Sequence, residues 1–456
     1  MNSRGDADFT HSGVDHILHP TTSIVDIQKT GPRIVAQGNG VYVEDQHGNK
    51  QIDAIAGLWC VNVGYGRKEL ADVMASASEK LSYYHTFGST SNIPQIALAE
   101  KLISITPKSL TKVFYGCSGS DANDTLVKIA WQYHQLRGKP NKVKIIAREQ
   151  AYHGTSISAA SLTGLPSFHR GFGLPLERIL RVSCPHYWRF GKTDESEAEY
   201  CDRLIQEVAD LIEKEGADNI AAFIAEPIMA AGGVIPPPKD YFSKLHPLLK
   251  QHDILLIADE VVCGYGRLGV QFGSELLGIE PDMMASAKGL TSGYFPLSAA
   301  FISENVWEVM TEGSRQYGSF AHGYTYSGHP VGCAVALANL DLIEKEKLVE
   351  NANTTGEYLH QQLQQRFAHH PHVGEIRGHG LLAGIQLVED KASKRLFDVP
   401  KKIPAQITKA CMNAGIIVRP LPTIGTIALS PPLTFTKEHV DLVIDVIEQG
   451  LDQVLA

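Results

Sequence analysis

The spacing of hydrophobic positions changes character along this chain. In "GVYVEDQHGNKQIDAIAG", apolar and polar residues alternate around Val41 and Val43, break at His47-Gly48-Asn49 and resume at Gln51-Ile52-Asp53. Period-two alternation interrupted by Gly-Asn predicts a β-hairpin. From about residue 94, amphipathic helical stretches alternate with short apolar runs: "KVFYGC", "KVKIIAR", "IAAFIAEPI", "ILLIADEVV" and "PDMMASAK". Such alternation predicts an α/β domain with a largely parallel sheet, whose ligands lie at the carboxyl ends of the strands. Near residue 330, "HPVGCAVALANLDLIEKEKLVENANTTGEYLHQQLQQRF" predicts a long helical stretch. Beyond it, "GEIRGHGLLAGIQLV" and "AGIIVRPL" read as strands of a second, α+β unit. Residues 1 to about 30 are polar with little periodicity, and predict an arm that orders against a partner surface. The division expected is an arm and part of a small domain at 1–60, a large domain at 61–330 and a small C-terminal domain at 331–456.

Composition narrows the function classes. At 456 residues and 43% hydrophobic, the chain can bury a large core. A formal net charge of -9, with neither basic blocks nor a basic tail, argues against nucleic acid or an anionic membrane as partner. Seven scattered cysteines, with no C-x-x-C pair, suit a reducing cytosol. The N-terminus has no signal-like apolar core, and no later run would span a bilayer. A cytoplasmic enzyme of small-molecule chemistry is the expectation.

Four short stretches carry candidate chemistry. Asp259 closes the apolar run Ile254 to Ile257 and Ala258. A charged group there needs a cation or donor, although an acid at a strand end also serves as a helix cap. Lys288, in "ASAKG", follows the next strand-like run; a lone lysine is ordinarily solvated, but an acid and a lysine at successive strand ends say more together. Ser118-Gly119-Ser120 precede the amphipathic "DANDTLVKIAWQYHQL", so their amides offer a phosphate seat or simply a capped helix start. Tyr152 and His153 follow the "KIIAR" strand, where an aromatic also serves as core. A competing pattern is Gly264-Tyr265-Gly266-Arg267-Leu268-Gly269, which fits the G-x-G-x-x-G fingerprint of an NAD(P) oxidoreductase. Asp259 and Glu260 intervene between strand and glycines, where they would oppose a phosphate, and "VQFGSELLG" is a poor helix start.

A phosphate cradle, an aromatic, a strand-end acid and a strand-end lysine, in that order, are the parts a pyridoxal phosphate site requires. The ordered motifs "AGLWCVNVGYGR", "SGSDANDT", "YHG", "AEPIMAAGGVIPP", "IADEVVCGYGRLG", "AKGLTSGYFP", "HGYTYSGHPVG" and "IIVRP" closely resemble class III aminotransferases of the fold-type I pyridoxal-phosphate enzymes. The likeness is greatest to the ω-amino acid and amine–pyruvate transaminases. It implies an α/β fold with a large, mostly parallel-sheet cofactor domain and a smaller α+β domain formed by the two chain ends. It also implies pyridoxal 5'-phosphate as cofactor, no metal, and ping-pong transfer from an amine, diamine or ω-amino acid to a keto acid such as pyruvate.

By the same resemblance, Lys288 forms the Schiff base and moves the proton, while Asp259 keeps the pyridine nitrogen protonated. Tyr152 and Val261 flank the ring, His153 and Glu226 lie near it, and Ser118, Gly119 and Ser120 hold the phosphate. Thr325 matches a threonine that reaches the phosphate of the neighbouring subunit, which implies a homodimer with shared sites, or a tetramer of such dimers. Trp59, Phe87, Tyr152 and Ala231 resemble the amine pocket, and Arg419 the mobile arginine that pairs with a substrate carboxylate. Asp121, Cys117 and Tyr324 depart from the residues usual at their positions and bear on pocket shape. A decarboxylase, racemase or aminomutase would share Lys288 and Asp259, and stays open at this level.

Overall fold

The computed structural model describes residues 10–421 and 424–455. Residues 1–9 of the expected arm lie outside the described residues; its remainder holds two short helices, Thr10–His16 and Ile24–Thr30. The hairpin pattern becomes an antiparallel meander of β1 (Val35–Asn39), β2 (Tyr42–Asp45) and β3 (Lys50–Asp53). The β2–β3 turn is held by the Asp45 carboxylate, which accepts the His47 and Asn49 amides at 2.9 and 3.0 Å.

The large sheet holds seven strands: β4 (Leu110–Gly116), β5 (Lys144–Arg148), β6 (Ile179–Val182), β7 (Ile220–Ala225), β8 (Leu255–Asp259), β9 (Met283–Ser286) and β10 (Ser298–Ser303). Their order is β4-β10-β9-β8-β7-β5-β6. Each of the runs read as strands is present. Two more, β6 and β10, carry no comparable signal, and β10 is the exception to the parallel arrangement, lying antiparallel to both β4 and β9. The reason is connection length: residues 287–297 make a tight return, whereas a parallel neighbour needs a crossover element. Every residue of β7 to β10 is buried, as expected for strands covered on both faces.

The C-terminal strands are β11 (Val373–His379), β12 (Leu382–Leu387), β13 (Ile416–Ile417), β14 (Arg419–Leu421) and β15 (Thr426–Leu429). "AGIIVRPL" proves to serve two sheets. Ile416 and Ile417 pair in parallel with Ile52 and Asp53 of β3, while Arg419 to Leu421 pair with β15 in the antiparallel sheet β11-β12-β15-β14. The helical stretch from residue 330 is two helices, Pro330–Lys345 and Leu348–Phe367, because Lys347 takes a left-handed φ of 52° between them.

The glycines after Asp259 do not open a helix. Gly266 and Gly269 have φ of 95° and 74°, and a Cβ at either would strike Leu433 or Asn353 at 2.8 Å. They let the helix Leu348–Phe367 and the turn at Leu433 press onto this loop. Glu260, fully buried, turns back to accept the Gly273 and Ser274 amides, and burial pushes its carboxyl up to about 7. Arg267, also fully buried, donates to Asn62 Oδ1 and to the Leu381 and Pro431 carbonyls. The loop is an internal tie, and the dinucleotide reading fails because no helix opens at the glycines: the four-residue helix that follows, Gly273–Leu276, has its first amides taken by the Glu260 carboxylate.

Acid sensitivity follows from His134, fully buried on the helix Gly119–Leu136, whose Nε2–H donates to the Ala221 carbonyl at 2.9 Å. Burial lowers its pKa from 6.5 to about 4. A depressed imidazole contributes stability that is present above the unfolded value and is lost as pH falls from about 6.5 to about 4, on the order of 3 kcal/mol in all. The denaturation midpoint should fall across that window, and His134→Gln should flatten the fall; an unchanged slope would contradict this.

Candidate active site

The carboxyl ends of β4, β5, β7, β8 and β9 converge on one cluster. Its floor is the start of the helix Gly119–Leu136. Ser118 caps it: its Oγ accepts the Asp121 amide at 3.2 Å, and Asp121 Oδ2 accepts the Ser118 amide at 3.0 Å. Asp121 also accepts from Cys117 N–H and Ser298 Oγ, so the shorter acid completes the capping box. The first-turn amides of Gly119 and Ser120 have no intrahelical acceptor and carry the positive end of the helix dipole. A Cβ on Gly119 would lie 3.0 Å from both Val261 methyls, so only glycine admits this approach without a shift. Ser120 Oγ accepts the Thr155 amide at 3.0 Å.

Asp259 ends β8 and is 3% exposed. Its Oδ2 accepts Asn123 Nδ2 and His153 Nδ1, each at 2.8 Å, and its Oδ1 accepts the Val261 amide at 3.1 Å. The second ring nitrogen of His153, Nε2, is buried with no partner. Tyr152 is tied to Glu226, whose Oε1 accepts the Tyr152 amide at 3.0 Å and whose Oε2 accepts the Ala230 amide at 2.9 Å. Burial raises the Glu226 carboxyl above its ordinary value, and the two amides oppose this. Glu226 therefore joins two loops of the site through their backbones.

Lys288 follows β9, one strand along from Asp259, whose register partner on β9 is Ala285. It occupies the left-handed region at φ 42°, a costly place for a residue with a side chain. The turn is enforced: Asn339 Nδ2 donates to the Gly289 and Leu290 carbonyls at 2.9 and 3.0 Å, and a Cβ on Gly289 would strike Asn62 at 2.5 Å. The Lys288 ammonium makes no hydrogen bond or ion pair among the described residues, although Cys60 feels its charge.

Trp59, itself at φ 65°, packs with Ala230, Val234, Leu268 and Leu421. The Arg419 guanidinium lies over its ring, 5.7 Å from the centroid, and Arg419 Nε is buried with no acceptor. Burial lowers the guanidinium below its ordinary value, with Tyr152 as the opposing influence. Ala231 is half-buried in the loop after Glu226, and that loop is clamped by Arg377, which donates to the Gly233 carbonyl from Nε and Nη2 at 3.0 and 2.7 Å.

Phe87 and Thr325 stand apart from this cluster within one chain. Phe87 is 48% exposed, and with Phe114, Lys128, Phe320 and His322 it lines a separate cavity of about 630 Å³. Thr325 is exposed, and its carbonyl accepts the Tyr83 hydroxyl at 2.7 Å. Three participants had not been picked out from sequence: Asn123, Asn339 and Arg377. For Asn123 a signal existed, an amide four residues after Gly119 on an otherwise apolar helix face.

The family model for class-III aminotransferases matches residues 26–451. The chain belongs to that family. A class-III aminotransferase uses pyridoxal 5'-phosphate, and transamination displaces the decarboxylase, racemase and aminomutase readings. The chain is 44% identical to an uncharacterised aminotransferase of Sinorhizobium fredii, over 98% of this chain and 97% of that protein. It is 43% identical to a diaminobutyrate–2-oxoglutarate transaminase of Halomonas elongata, over 92% and 90%. Among solved structures, an omega transaminase from Pseudomonas jessenii in complex with PMP superposes with a TM-score of 0.96 at 42% identity, covering 98% of each chain.

Proposed function

We propose that this class-III aminotransferase moves an amino group from an amine, diamine or ω-amino acid to a keto acid, with pyruvate as the acceptor, by a ping-pong exchange. The observation that carries this reading is an unpaired lysine, held on an enforced left-handed turn, beside a buried strand-end carboxylate. The donor set suits the cofactor. Open first-turn amides of Gly119 and Ser120 would hold a phosphate, and the remaining acceptor direction of Asp259 would take a ring N–H.

When bound, pyridoxal phosphate supplies an electron sink for the substrate carbon that loses its proton. The chain's part is to place and shuttle protons. Asp259 holds the proton on the ring nitrogen, and donors from Asn123, His153 and Val261 fix its carboxylate in place. Tyr152 and Val261 confine the ring plane. Lys288 Nζ, which no carboxylate engages, takes the proton from the substrate carbon and delivers it again. Mutation of such a base removes roughly 10²- to 10⁴-fold in rate.

Donor and acceptor share one pocket. Arg419 has no acid partner among the described residues and rests on Trp59. A keto-acid carboxylate meets its planar fork through two parallel hydrogen bonds. An amine with an apolar substituent lies instead on the Trp59 face, and Ala231 leaves room beside it. Similarity to a diaminobutyrate transaminase and an omega transaminase supports donors whose amino group is remote from, or lacks, a carboxylate.

The site is completed by a second copy of the chain in this reading. Phe87, Thr325 and the exposed Tyr83, Tyr84 and Tyr326 lie on one face, where Tyr83 meets Tyr326 edge-on at 5.7 Å. A homodimer brings Phe87 and Thr325 of each chain to the other's site.

Three outcomes are expected. Lys288→Ala should retain cofactor but lose about 10³-fold in both half-reactions, followed by cofactor absorbance in single turnovers; rates within tenfold of the parent would remove Lys288 as the base. Arg419→Ala should raise KM for pyruvate by about tenfold or more, the cost of a charge-assisted pair, while changing KM for an amine without a carboxylate by less than about threefold. Equal losses for both would refute carboxylate recognition. Sedimentation should give a dimer, and mixing Lys288→Ala with Thr325→Ala protein should restore activity, since the mixed dimer holds one site with both residues; a monomer, or no recovery, would rule out shared sites.

A further inference from the structure

The helix Gly119–Leu136 touches the end of β8 at two points with matched spacing. Gly119 packs on Val261, and Asn123, four residues later on the same helix face and about 6 Å along its axis, reaches Asp259. Val261 and Asp259 are themselves two residues apart. Asn123 is 1% exposed, and its Nδ2 donates both to Asp259 Oδ2 and to the His153 carbonyl, each at 2.8 Å. Both partners can only accept, so they determine which way the amide faces. Its Oδ1 is buried without a donor. The amide leaves its acceptor unsatisfied while keeping both N–H groups on this junction.

The hydrogen bonds on Asp259 leave little choice. Asn123 and His153 fill the two acceptor directions of Oδ2, and the Val261 amide fills one on Oδ1. One direction on Oδ1 remains.

We propose that Asn123 is a positioning residue. It fixes the separation between the first-turn amides of its own helix and the one open acceptor direction of Asp259, and so selects a ligand that carries a phosphate and a ring N–H at that separation. The phosphate seat and the acid belong to different elements, and without this amide only the Gly119–Val261 contact would hold them in register. The proposal rests on the reading of Asp259 as partner of the ring nitrogen.

The test is a comparison of two ligands on holoenzyme stripped of cofactor: pyridoxal phosphate, and its analogue with carbon in place of the ring nitrogen. Affinities come from equilibrium dialysis, with the thermal midpoint of the stripped protein as a folding control. The parent should prefer pyridoxal phosphate, and Asn123→Ala should narrow that preference by about tenfold, the loss expected for one charge-assisted hydrogen bond. Weaker binding of both ligands by one factor, with the preference unchanged, overturns the proposal and leaves Asn123 a structural residue. Equal binding of both by the parent overturns the Asp259 reading, and this proposal with it. Should Asn123→Ala fail to fold, Asn123→Leu keeps the volume, removes the donor and is judged by the same ratio.

Discussion

Burial of one carboxylate, Asp259, organises the site. A carboxyl group at 3% exposure is tolerated only where hydrogen-bond partners replace its water, and three donors converge on it from separate elements: the helix after β4, the loop after β5, and the backbone immediately beyond β8. Because two of those donors, Asn123 and His153, come from distant parts of the sequence, satisfying the acid also aligns the helix N-terminus, Tyr152 and Val261 around one small volume. Lys288 follows β9, the parallel neighbour of β8, in which Ala285 is the register partner of Asp259.

A second constraint joins this volume to the C-terminal sheet. The ties are buried guanidinium groups that bond mainly to carbonyl oxygens. Arg267 links the glycine-rich loop to Leu381 and Pro431, and Arg377 links the Gly233 loop to Gln386 and Thr426. At Arg267 the carbonyl partners satisfy the donors without bringing a second charge that must also lose its water, whereas Arg377 also pairs with the Glu375 carboxylate at 2.9 Å. The strand pairing of Ile416 with Ile52 then locks the chain ends together, and Arg419, three residues on, is set over Trp59. The placement of Arg419 over Trp59 thus depends on both ends of the chain.

Much of the parallel sheet was legible because its strands are continuous apolar runs between amphipathic helices, the pattern that two-sided burial imposes. β6 and β10 were not: the run Ile179–Val182 carries an arginine, and β10 begins and ends on serine with only four apolar residues between them. The long C-terminal helical pattern hid a break, since a left-handed lysine leaves no mark on hydrophobic spacing. "AGIIVRPL" could not reveal that it serves two sheets, because strand partnership is a property of the partners.

The sequence by itself determined the class of chemistry. A lysine and an acid at successive strand ends, with small residues opening a helix, are local features, and their order along the chain is specific enough to name a family. Only the tertiary structure decided how they act together. Which directions on Asp259 remain open, that Lys288 sits on an enforced turn with no partner, that the glycine fingerprint is an internal tie, and that Phe87 and Thr325 stand apart from the rest within one chain all depend on contacts between residues far apart in sequence. Hydrogen-bond directions and packing distances are set by the convergence of several elements, and no single stretch of chain encodes them.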